Sequence, residues 1–109
     1  MLMVQDMARA ISFYRDVLGF EESLSSPEWS EVRFGDAVVG LHAGADGSQR
    51  KTGLSIQYQD VRKAFDRAVE AGATVLQEPQ QREGEPILLA SIADPEGNVI
   101  MLTQYVGEP

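Results

Sequence analysis

"IADPEGNVIMLT", residues 92–103, is the stretch that decides the fold. Asp94-Pro95-Glu96-Gly97-Asn98 is turn chemistry: Pro95 presets one backbone angle, and Gly97 and Asn98 tolerate positive φ. The apolar, partly β-branched run that follows predicts a strand. Successive side chains alternate between faces, so Val99, Met101 and Thr103 share one and Ile100 and Leu102 the other. Only one face can pack on a helix. The other offers no carboxylate, imidazole or thiol, which raises the question of what it touches.

Outward from that strand the chain repeats itself. "DMARAISFYRDVLG" predicts a helix capped by Asp6, with Met7, Ala10, Ile11, Tyr14, Val17 and Leu18 on one stripe and Gly19 at its stop. "DVRKAFDRAVEAG" has the same plan: Asp60 as cap, Val61, Ala64, Phe65, Ala68 and Val69 on the stripe, Gly72 as terminator. A short strand precedes each cap, "MLMVQ" and "GLSIQYQ". Three strand-like pieces follow each helix: Phe20–Ser25, Trp29–Phe34 and Ala37–His42, then Thr74–Gln81, Pro86–Ala93 and Asn98–Tyr105. The caps lie about half the chain apart, and each half ends in a similar strand, "GDAVVGL" and "EGNVIML". The pattern is an α+β domain over residues 1–109, built from two βαβββ modules at about 1–43 and 53–106. The polar, Gly-rich residues 43–52 link them.

One helix for every four strands covers one face of a sheet. Leu2, Val4, Val39, Leu41, Leu54, Ile56, Tyr58, Ile100 and Leu102 fall on the helix side. Met3, Gln5, Val38, Gly40, His42, Ser55, Gln57, Val99, Met101 and Thr103 alternate onto the concave side. That second face is half apolar with scattered polar groups, as a trough for a small organic ligand would be. A contact with a second copy of the chain explains it as well, since open strand edges invite pairing.

The composition narrows the function. Hydrophobic residues make up 43% of the 109, with 24% charged, ordinary values for a globular domain. The absence of cysteine excludes disulfides and thiol chemistry. A net charge of −8 argues against nucleic acid and anionic membranes as partners. No apolar run reaches the ~20 residues of a membrane span, and no leader sequence is evident, so a cytoplasmic setting is expected. "GADGSQRK" is no phosphate loop, since it lacks the Gly-Lys-Ser/Thr ending.

"MARAISFYRDVLGFE", "DVRKAFDRAVEAGATV" and "ADPEGNVIML" together resemble the vicinal oxygen chelate superfamily, which includes glyoxalase I, extradiol dioxygenases and bleomycin-resistance proteins. The resemblance covers essentially the whole chain. It implies paired βαβββ modules forming a cupped mixed sheet with helices on the convex face. Enzymes of that family hold a divalent metal through residues seven before each capping Asp and through a Glu near the end of each module's last strand. Here the corresponding residues are Gly53, Gly40 and Met101, and seven before Asp6 falls ahead of Met1. Glycine has no donor, and a thioether is too soft for Mg, Mn, Fe or Ni in an oxygen-rich site. The resemblance therefore implies a member without metal or other cofactor.

Trp29, Glu31 and Arg33 alternate onto one face, where an aromatic plate, a carboxylate and a guanidinium would line a wall. His42, the only histidine, would orient a ligand or act as a base. Gln57 and Thr103 would supply neutral hydrogen bonds, and Met101 an adaptable apolar contact. Each has a plainer alternative: His42 bonded to nearby backbone, Glu31 paired with Arg33, and Met101 in a dimer contact. "QEPQQREGEP" reads as a polar hairpin over one end of the trough. The expectation is a metal-independent receptor for a partly apolar or aromatic small molecule, as a homodimer. The alternatives are a glyoxalase-like lyase, isomerase or dioxygenase, and a dimeric module with no dedicated ligand.

Overall fold

In the computed structural model, which describes residues 1–81 and 83–107, the two halves fold as two mixed four-stranded sheets. Arg82 of the expected hairpin, and Glu108 and Pro109, lie outside the described residues. The first module runs β1 (Leu2–Val4), α1 (Met7–Ser12), β2 (Glu21–Leu24), β3 (Trp29–Phe34) and β4 (Ala37–Ala43). The second runs β5 (Arg50–Gln57), α2 (Val61–Glu70), β6 (Thr74–Gln81), β7 (Ile87–Ala93) and β8 (Asn98–Tyr105). Strand order is β1-β4-β3-β2 in one sheet and β5-β8-β7-β6 in the other. In each, the first strand pairs parallel with the last and the remaining ladders are antiparallel. This is the expected α+β fold of two βαβββ modules. Among the described residues, no helix is long and apolar enough to cross a membrane.

Asp6 and Asp60 cap their helices alike, each Oδ1 accepting the N–H three residues on at 3.1 Å. The first helix then widens into a π-turn over Phe13–Val17. The change of period explains one departure from the expected stripe: Phe13, which a regular α-helix would turn away, is buried at 3% exposure. The helix-facing strand residues Leu2, Val4, Leu41, Ile56, Ile100 and Leu102 are all buried in the core, as alternation predicts. Strand β5 begins at Arg50, three residues earlier than "GLSIQYQ" suggests.

The opening motif turns out to fasten one module to the other. In the Asp94–Asn98 turn, Asp94 Oδ1 accepts the Glu96 and Asn98 N–H groups at 2.9 and 2.8 Å. Gly97 takes φ +93°, and a Cβ there would collide with the Ser48 carbonyl, so only glycine fits. Three side chains reach across. Asn98 Nδ2 donates to the Met3 carbonyl at 2.8 Å, and the Tyr14 hydroxyl donates to Asp94 Oδ2 at 2.5 Å. Fully buried Glu96 accepts the Gln5 and Asp6 N–H groups at 2.7 and 2.8 Å and Arg9 Nε at 2.6 Å. Burial pushes the Glu96 carboxyl up, but Arg9 and the two N–H groups outweigh it and leave its pKa below the usual value. Asp94 goes the other way, because burial prevails over the bonds from Tyr14, Asn98 and Glu96.

Candidate functional site

The seven residues singled out in the sequence all lie on the sheet faces turned away from the helices, in two groups. Trp29, Glu31, Arg33 and His42 belong to the first sheet, where Trp29 pairs with His42, Glu31 with Gly40 and Arg33 with Val38. Gln57, Met101 and Thr103 belong to the second, where Gln57 pairs with Thr103 and Met101 with Ser55. Among the described residues, no side-chain hydrogen bond or ring contact joins one group to the other.

In the first group the indole lies across Gly40. A Cβ at Gly40 would collide with Cη2 and Cζ2 of the Trp29 ring, so the missing side chain is what admits it. Trp29 Nε1 donates to Glu31 Oε2 at 3.0 Å, and the ring meets His42 edge-on at 6.1 Å between centroids. Glu31 is thus engaged by the indole and not by Arg33. His42 Nδ1 lies 2.6 Å from the Ala43 carbonyl, the backbone bond a strand-end histidine readily makes. The Ser26 hydroxyl holds the start of the strand by bonding to the Trp29 carbonyl. The indole thus occupies the space above Gly40, while Arg33, Val38 and His42 on the same face are exposed.

The second module is open at the corresponding place. A cleft of ≈ 420 Å³ is lined by Lys51, Thr52, Gly53, Leu54, Ser91, Val99 and Met101. A bulge in β5 makes it: Lys51 pairs with Val99 and Ser55 with Met101, so three residues of β5 oppose one of β8. Gly53 sits in that bulge at φ +76°, a left-handed conformation that side chains resist, and nothing lies within 4 Å of its would-be Cβ. The Thr52 hydroxyl stitches the bulge together, donating to the Val99 carbonyl at 2.7 Å and accepting the Leu54 N–H at 3.1 Å. The walls are apolar at Leu54, Val99 and Met101, with hydroxyls at Thr52 and Ser91. Lys51 is exposed at the rim.

Sequence reasoning missed Lys51, Thr52 and Ser91. The first two fell in the expected linker, and the bulge shifts the register. A lone glycine inside a strand pattern was the available signal.

The positions that the resemblance gives to metal ligands do not suit a divalent cation. Gly40 is covered by carbon of the indole, Gly53 is open space, and Met101 offers a thioether. Among the described residues, no three His, Cys, Asp or Glu side chains come together as a metal site would need. A further hollow, ≈ 290 Å³, lies on the helix side between Leu18, Phe34, Tyr58 and Arg67. The Tyr58 hydroxyl there is already bonded to the Leu18 carbonyl and Arg67 to that of Asp16.

Comparison with known proteins places this geometry in context. Residues 1–102 match the family model described as the Glyoxalase/Bleomycin resistance protein/Dioxygenase superfamily. A virulence protein of Salmonella typhimurium is 27% identical, the match covering 96% of this chain and 81% of that protein. Its crystal structure superposes with a TM-score of 0.72, covering 96% and 92% of the two chains. A family enzyme from Burkholderia phytofirmans superposes at TM-score 0.80 with 23% identity, over 95% and 94% of the chains. A bleomycin-binding protein of Streptomyces verticillus, solved with copper(II)-bleomycin, superposes at 0.68 with 19% identity, over 98% and 92%. The last two likenesses concern the fold.

Proposed function

The chain belongs to the glyoxalase/bleomycin resistance protein/dioxygenase superfamily, and from that membership we propose a metal-independent receptor for a partly apolar or aromatic small molecule. The observation that carries this reading is the ≈ 420 Å³ cleft walled by Leu54, Val99 and Met101. Its volume lies within the ~300–1,000 Å³ of small-molecule sites, and its apolar walls with a few hydroxyls have their usual character. The Streptomyces verticillus relative, whose crystal contains bleomycin, lends support that such a cup can hold an organic ligand. Metal independence is supported by Gly40, Gly53 and Met101 standing where donors would be needed. Of the site residues singled out in the sequence, Met101 is the one that lines this cleft; Trp29, His42, Gln57 and Thr103 lie outside its lining.

The receptor works as a homodimer in the cytoplasm. Support comes from the exposed Val75 and Leu76 on edge strand β6 and from a chain without cysteine. Sedimentation across a concentration series is expected to give twice the chain mass. A monomer throughout would remove that part of the reading.

The test of binding is a titration with N-phenyl-1-naphthylamine, a neutral aromatic fluorophore, after dialysis against a chelator. Saturable enhancement is expected, unchanged by added Ni, Mn, Fe or Zn and weakened in Met101→Ala. Stoichiometric metal uptake accompanied by turnover of a glyoxalase-type substrate would reverse the reading.

A further inference from the structure

We infer that the ligand of the second module's cleft is an organic anion, a carboxylate or sulfonate on an apolar body, held at its charged end by Lys51. This rests on the cleft being a ligand site. Across β5, β7 and β8, the residues that alternate onto the open face carry a single formal charge, the Lys51 ammonium. Strand register fixes its side: Arg50 pairs with Asn98 and points toward the core, so Lys51, paired with Val99, points to the cleft. Arg50 spends its Nη1 on the Met3 and Glu96 carbonyls and on Asn98 Oδ1. Lys51 makes no ion pair or side-chain hydrogen bond among the described residues.

The chain as a whole carries −8. Among the described residues, Lys51 is thus an unpaired cation beside an apolar cavity in a chain of net negative charge. Charge complementarity selects a ligand with one negative group and discriminates against cations. The Thr52 hydroxyl is already committed to Val99, leaving the Ser91 hydroxyl beside Met101 as a neutral donor to the same anion. Leu54, Val99 and Met101 then take the apolar body, and Gly53, lacking a side chain, leaves room for it.

Two probes with one body test this: 1-anilinonaphthalene-8-sulfonate and its uncharged counterpart N-phenyl-1-naphthylamine. The wild-type chain should bind the sulfonate more tightly. Lys51→Met should weaken the sulfonate by roughly three- to tenfold and leave the neutral probe unchanged. The preference should also shrink as salt rises. Lys63→Met, on α2 away from the cleft, should change neither affinity. Equal affinity for both probes in the wild type, or equal losses in the two lysine variants, overturns the anion assignment while leaving an apolar cleft. Failure of both probes to bind removes the cleft reading together with it.

Discussion

Leu41 and Leu102 hold equivalent places in the two modules, and both are fully buried. One residue earlier the modules part. Gly40 lies beneath the Trp29 ring, whereas Met101 lines an open cleft beside Gly53. The same backbone plan therefore carries an indole over one of these equivalent positions and an open cleft beside the other. Core-facing positions answer to volume and close packing, which hold both halves to similar side chains. Residues on the open face answer to whatever they touch. On the proposed reading the ligand sits in the second module's cleft, and the first module's face takes no part in the contact.

The comparison can be broken most severely in the core. Leu41→Ala and Leu102→Ala should each cost about 2–5 kcal/mol in denaturant unfolding, as cavities at fully buried leucines do. Similar losses support equivalent cores; a small loss at either would refute the equivalence.

Gly40→Ala comes next. Its methyl cannot coexist with the indole where it lies, so Trp29 must swing out or the strand must give, costing about 1–3 kcal/mol. Tryptophan emission should move to the red as the ring meets water, and an unshifted spectrum would contradict the packing described.

Glu96→Gln tests the tie between modules and should cost about 1–2 kcal/mol, toward the low end because Arg9 is about half exposed. The pH dependence has a definite sign. The folded pKa of Glu96 is lowered, so its contribution is complete above the ordinary carboxylate range and is lost as pH falls through the lowered value. Asp94, raised by burial, contributes in the opposite sense, most at low pH and less as pH rises through its folded value. Relative to wild type, Glu96→Gln should therefore narrow its deficit in acid; a deficit that stays constant with pH would contradict the assignment.

Met101→Ala is the mildest. At a half-open wall it should change stability by less than about 1 kcal/mol while weakening the neutral probe.

Much of this was legible in the sequence. Strict alternation assigned Leu2, Val4, Leu41, Ile100 and Leu102 to the core because a β-strand leaves no other choice. The capping aspartates announced both helices. What stayed hidden depends on departures from regular geometry or on contacts distant in sequence. Phe13 is buried because a π-turn changes the helical period. The cleft exists because a bulge at Gly53 gives β5 extra residues. Glu96 reads as an ordinary turn residue until the first module's strand-to-helix corner folds onto it, some ninety positions away in sequence. The indole on Gly40 required knowing which way a large side chain leans, which pattern alone does not say.

The most direct measurement uses the four methionine methyl groups, at residues 1, 3, 7 and 101, as reporters in a 13C-methyl NMR titration with N-phenyl-1-naphthylamine. Met101 should shift most, with Met7, packed against the core on the helix side, unmoved and the Trp29 indole N–H little changed. Shifts concentrated at Trp29 and His42, with Met101 still, would place the ligand on the first module and contradict the division of labour between the two faces.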